Sequence, residues 1–104
     1  MKIEEITKFS QKASIIFEKS VAKYHYLDTT EQPINNPYKK ASLEALLFKK
    51  SWIDTVQWHY EDLIRDPKID PEEGMYLKRK IDTSNQARTD LVEELDQYLS
   101  LIHI

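Results

Sequence analysis

Residues 42–74, SLEALLFKKSWIDTVQWHYEDLIRDPKIDPEEG, decide the fold. Leu46, Ile53, Val56, Tyr60, Leu63 and Ile64 recur at the steps of one helical stripe, which predicts a helix from about Ser42 to Arg65. Asp66 then stands before Pro67, and proline pushes the residue ahead of it out of helical geometry, so the helix stops there. A second start follows at once. Asp70 offers an N-cap, Pro71 suits the first helical position, and Glu73 lies three residues after the cap, an arrangement similar to a capping box with acids in the first turn. The next helix is predicted from about Pro71 to Tyr98, with Gly74 in its first turns and a seam of Leu77, Ile81, Ser84, Arg88, Leu91, Val92 and Leu95. So short a break between two helices makes them an antiparallel hairpin.

Working outward, Ile6, Phe9, Ala13, Ile16, Phe17, Val21, Tyr24 and Leu27 place another stripe on a helix over about residues 3–27, with Ile15 on its opposite side. Between the two lies a connection, residues 28–41, carrying Pro33 and Asn36-Pro37 and long enough to cross a bundle. The expected architecture is an all-α, antiparallel up-and-down bundle with three helices present. One Gly and four Pro are too few for a turn-rich β fold. The chain has no Cys, which excludes disulfides, thiolate metal sites and a cysteine nucleophile, and suits a reducing, cytoplasmic setting. A formal charge of −3 gives no reason to expect nucleic acid as a partner, so Lys39-Lys40, Lys49-Lys50 and Lys78-Arg79-Lys80 read as solvated helix edges. The N-terminal stretch, with Glu4 and Glu5 and a short apolar run, is neither a signal peptide nor a membrane span.

The second helix is unusual on both sides. Trp58 lies about 180° from the apolar seam, among Leu47, Asp54, Glu61, Asp62 and Arg65. Either this face packs on another helix, or it lines a cleft in which an aromatic platform meets carboxylates and a guanidinium. Arg88 is the second anomaly, a charge in the middle of the third helix's seam. In a hairpin symmetrical about residues 66 and 71 it stands level with about Lys49, leaving Asp62 roughly 20 Å along the axis and Asp54 only roughly 7–8 Å away. Asn85 stands nearly level with Trp52, so Asp54, Asn85 and Arg88 are expected to form a polar layer, whose loss would cost about 3–5 kcal/mol if the charges are buried.

The histidines do not carry di-iron spacing, since Ala22 and Val56 occupy the places three residues before His25 and His59 where a bundle would need Glu. Looser pairings remain, His59 with Asp62 at i, i+3 and Glu18 with His25 at i, i+7. No metal ligand set and no cofactor can be assigned. None of the short motifs of metalloproteases, serine hydrolases, phosphate loops or EF-hands is present.

The last six residues, Leu99–Ile104, read LSLIHI, the translation of a transposon mosaic-end adapter used in sequencing libraries. Residues 99–104 are therefore expected to be a non-native tail, His103 is set aside, and residues 1–98 are expected to be an incomplete helical domain. Different codons at those six positions would remove that expectation. Apolar surface left by absent helices would invite self-association.

The residues just named resemble a bacterial family, DUF4254, a domain of unknown function. The likeness rests on Tyr24-His25, Pro33 and Asn36-Pro37-Tyr38, the block Trp52 to His59 with Glu61-Asp62 and Ile64-Arg65, then Ile81-Asp82, Asn85, Arg88-Thr89-Asp90, Glu94 and Asp96. It implies a helical fold, a bacterial and cytoplasmic setting and a longer chain, and carries over no activity, substrate or catalytic residue. Two readings of function follow. One is a non-catalytic interaction or structural module whose polar layer fixes helix register and whose Trp58 face meets a partner or absent helices. The other is a metal-assisted hydrolase or transferase of phosphorylated small molecules, with Asp54, Glu61, Asp62 and His59 holding an ion or acting as base and Arg65 or Arg88 neutralising phosphate.

Overall fold

Ser42 opens the central helix from an extended backbone, φ −81° and ψ 159°, and its hydroxyl accepts the Ala45 N–H at 3.1 Å. That bond satisfies one of the four amide donors every helix start leaves unpaired. In the computed structural model, which describes residues 3–101, this helix is α2 (Leu43–Ile64), preceded by α1 (Ile3–Leu27) and followed by α3 (Pro71–Leu101). At its far end Arg65 and Asp66 donate back to the carbonyls of Asp62 and Leu63, tightening the last turn. The Asp66 carboxylate then accepts the Lys68 N–H at 2.9 Å, turning the chain around Pro67. The Asp70 carbonyl receives the first bond of α3, from Gly74 N–H at 2.9 Å, as expected of the residue at the cap. None of the helices among the described residues is long and apolar enough to cross a membrane.

The all-α bundle expected from the periodicity is present, and α2 and α3 form its antiparallel hairpin. The first helix departs from the up-and-down order. Lys12 pairs with Glu44, Ser51 Oγ donates to the Phe17 carbonyl at 3.4 Å, Ser20 Oγ donates to the Phe48 carbonyl at 3.3 Å, and Tyr24 bonds His59. Lys12 meets the start of α2, Phe17 and Ser20 meet its middle and Tyr24 meets its second half, so α1 lies parallel to α2. The connection makes this order feasible. It must return along about twenty helical residues, roughly 30 Å at 1.5 Å each, a distance an extended chain of its length spans easily. The turn out of α1 is made at Asp28, left-handed at φ 52°, whose N–H donates to the Tyr24 carbonyl. Lys23 and Gln32 then tie the connection to α1, and the Asn36 amide donates to the Ala45 carbonyl at 2.8 Å, tying it to α2.

Both flanking helices pack on α2, and among the described residues no Cα of α1 comes within 8 Å of one in α3. This sandwich explains where the stripes were misread. The central helix buries Leu43, Leu46, Leu47, Phe48 and Trp52, a wider arc than a single stripe, because it has a neighbour on two sides. Leu47, read as part of the Trp58 face, is therefore core, and so are Phe48 and Trp52. On α1 the buried row is Ala13, Ile16, Ser20 and Tyr24, while Ile6, Val21 and Leu27 of the expected stripe are exposed. Ser20, fully buried, lets the parallel helices approach and spends its hydroxyl on the α2 backbone. On α3 Leu77, Leu91 and Leu95 are buried and Val92 is exposed. That helix runs past Tyr98 through Leu101, and the remaining tail residues 102–104, His103 among them, lie outside the described region.

Candidate functional site

The face of α2 read as one polar cluster divides into two sites, one against each flanking helix. Against α3, Asp54 sits between two cations, Arg88 Nε at 2.7 Å from Oδ1 and Lys50 Nζ at 2.5 Å from Oδ2. The reach predicted for Arg88 is met. Oδ1 nevertheless receives no aligned N–H, so the Arg88 contact is coulombic in the main. Asn85 does not join this pair. Its Oδ1 accepts from Gln57 Nε2 at 2.7 Å, and the same amide reaches Glu61 Oε1 at 3.5 Å. Gln57, three residues after Asp54, thus meets Asn85, three before Arg88, in one antiparallel register. That register is five residues off the level estimate that set Asn85 opposite Trp52. The direction of the offset follows from side chains leaning toward their own helix N-termini, which in an antiparallel pair favours partners of higher number on both helices.

Arg88 keeps 39 % of its side chain exposed, so the layer lies at the edge of the seam, where water screens it and its loss costs less than a buried pair's. Gln57 was not singled out in the sequence, although a polar residue flanked by Val56 and Tyr60 was a usable signal. It is buried, and its Oε1 has no partner, nor does Ser84 Oγ nearby in sequence on α3's seam.

Against α1 lies an open groove of about 610 Å³. From α1 it takes Val21, His25 and Asp28, spaced by four and three residues. From α2 it takes Thr55, Trp58, His59, Asp62 and Leu63, again one helical strip, so two parallel strips form its walls. Trp58 is 62 % exposed. Packing is met for part of this face, with Leu47 in the core and Asp54 against α3, whereas Trp58 is left uncovered among the described residues and walls the groove.

Tyr24 stands behind the groove and is bonded to His59 of its lining. Its side chain is fully buried, in edge contact with Trp52 at 5.2 Å and His59 at 5.9 Å between centroids. Burial first, then the Asp28 charge, push the phenol up to about 12, so it keeps its proton at neutral pH. The hydroxyl and His59 Nδ1 are hydrogen-bonded at 2.8 Å, which anchors the imidazole ring. His25 Nδ1 meets Asp28 Oδ1 at 2.9 Å. The expected Glu18–His25 pairing is replaced by this one, and Glu18 is exposed. Asp28 was not anticipated, although His25 and Asp28 stand at i, i+3 across the helix end. Asp62, at the rim, accepts from Arg65 Nη1 at 3.4 Å, with both side chains about two-thirds exposed. Chemically the groove offers an aromatic wall, an anchored imidazole and carboxylates. Asp54 and Glu61 face α3 and do not line it. Among the described residues no group of three or more His, Asp or Glu stands close enough to hold a metal ion.

A family model described as "Protein of unknown function (DUF4254)" matches residues 44–102, which takes in nearly all of α2 and all of α3. No curated protein and no solved structure matches the chain. The matched span contains Trp58, His59 and Asp62 of the groove and the whole Asp54–Arg88 layer, while Val21, His25 and Asp28 precede it. With more than half its residues in that match, this chain belongs to the DUF4254 family.

Proposed function

We propose that this protein is a non-catalytic interaction module whose binding face is the groove between α1 and α2. The observation that carries the reading is the Trp58 indole, left 62 % exposed on the wall of the groove. A large ring kept out of the core contributes little to folding and much to binding, since tryptophan is among the commonest anchors of binding energy. The metal-assisted hydrolase or transferase reading asks Asp54, Glu61, Asp62 and His59 to converge, and they stand on two sides of α2.

Two melting experiments test the reading. Trp58→Ala is expected to leave the melting temperature within about 4 °C of the parent, since surface substitutions usually change stability by less than about 0.5 kcal/mol. A large loss would make the ring a packing element instead. Millimolar Mg²⁺, Mn²⁺, Zn²⁺ or nucleotides are expected to leave the melting temperature unchanged. A rise of several degrees with any of them would favour the enzyme reading.

A further inference from the structure

We infer that the groove takes a small organic cation, an alkylammonium ion seated on Trp58 between Asp28 and Asp62. The inference rests on the groove being the binding face and names what occupies it. Two of the side chains lining the groove are carboxylates and none is Lys or Arg, so the wall favours positive charge and disfavours phosphate or carboxylate ligands. Asp62 follows Trp58 by one helical turn and shares its strip, while Asp28 closes the opposite wall from the end of α1. The indole face attracts a cation through its quadrupole and most strongly among the aromatic side chains, which is how quaternary ammonium groups are commonly held. His59 adds an imidazole to the lining, its ring anchored by the Tyr24 phenol.

Size decides between a free molecule and the side chain of a partner protein. A volume of about 610 Å³ lies within the range of small-molecule sites, roughly 300–1,000 Å³, and exceeds what one lysine side chain fills. Arg65 lies outside the lining and holds Asp62 only through a long, exposed contact, so it competes with the ligand's charge without occupying its place.

The test is titration of the full chain, followed by tryptophan fluorescence and calorimetry. The probes are choline, tetramethylammonium, acetate and the neutral carbon isostere of choline, in which a tert-butyl group replaces the trimethylammonium. Choline is expected to bind with a Kd of about 1–10 mM, as suits an open site, and the isostere about fivefold or more weakly. Trp58→Leu should abolish the response, Asp28→Asn and Asp62→Asn should each weaken choline about two- to fivefold, and Arg65→Ala should strengthen it by freeing Asp62. Circular dichroism checks that each variant is folded. An isostere that binds as well as choline overturns the cation assignment and leaves the groove as a binding face. No saturable response to choline or tetramethylammonium at about 100 mM also overturns it. A lysine peptide that binds more tightly than either free cation moves the occupant to a partner protein and overturns the small-molecule assignment. The melting experiments with metals and nucleotides decide separately whether the protein is a non-catalytic module.

Discussion

The hydroxyl of Tyr24 is hydrogen-bonded to Nδ1 of His59 across 2.8 Å, joining the buried row of α1 to the groove-facing strip of α2. The two helices are parallel, so this bond lies at the end of α1 where the connection begins, and it fixes the ring that faces any ligand. Tyr24→Phe keeps the packing against Trp52 but leaves Nδ1 without its partner. It is expected to cost about 1–2 kcal/mol in urea unfolding and to release the His59 tautomer, visible in the imidazole ¹⁵N shifts. Unchanged stability and unchanged shifts would show that the bond holds nothing in place.

The same phenol gives an alkaline limit to stability. Its folded pKa of about 12 lies above the ordinary 10, so the folded state holds a proton that the unfolded chain releases first. That contribution is complete below pH 10 and is lost as pH rises from 10 to 12. At about 1.4 kcal/mol per pH unit it amounts to no more than about 2–3 kcal/mol. Tyr60, also pushed up by burial, acts in the same direction. The urea midpoint should fall across this window, and Tyr24→Phe should make the fall shallower.

Arg88 and Asp54 should be coupled but modestly. Arg88→Ala is expected to cost about 1–2 kcal/mol, less than a fully buried pair, because Lys50 still holds Asp54 and the site is partly open to water. Asp54→Ala should cost more, since it leaves both cations unpaired. A double-mutant cycle should return a coupling of about 0.5–1.5 kcal/mol. Additive single losses would mean that the pair does not set the hairpin's register.

Gln57 offers a test in the opposite direction. It is buried, its Oε1 has no partner, and its amide serves Asn85, which is exposed and can turn to water. Gln57→Met should therefore be neutral or stabilising by up to about 1 kcal/mol, measured by thermal unfolding, because it removes an unpaired buried oxygen. A loss of more than about 2 kcal/mol would assign the amide a structural part in the polar layer.

Much of the site was within reach of local reasoning. Arg88 could be given Asp54 as a partner because two helices joined by a tight turn have only one coarse register, and helical rise converts residue counts into distances. Asn85 was misassigned by the same arithmetic, since counting levels ignores the lean of side chains along their helices. The Trp58 groove was half legible. Spacing along α2 put Trp58, His59 and Asp62 on neighbouring positions, but Val21, His25 and Asp28 come from a helix whose direction no local pattern reveals.

The sequence by itself determined that three helices form and where the first two stop, because capping, proline and periodicity act over a few neighbouring residues. It also determined that the second and third pair as a hairpin, since four to six residues permit no other return. Only the tertiary structure decided that α1 runs parallel to α2, because a connection of fifteen residues costs little more to close in one direction than in the other. That choice rests on packing, with Ser20, Phe48 and Tyr24 meeting α2 or α1 across dozens of residues of chain, and it is what sets His25 and Asp28 opposite Trp58.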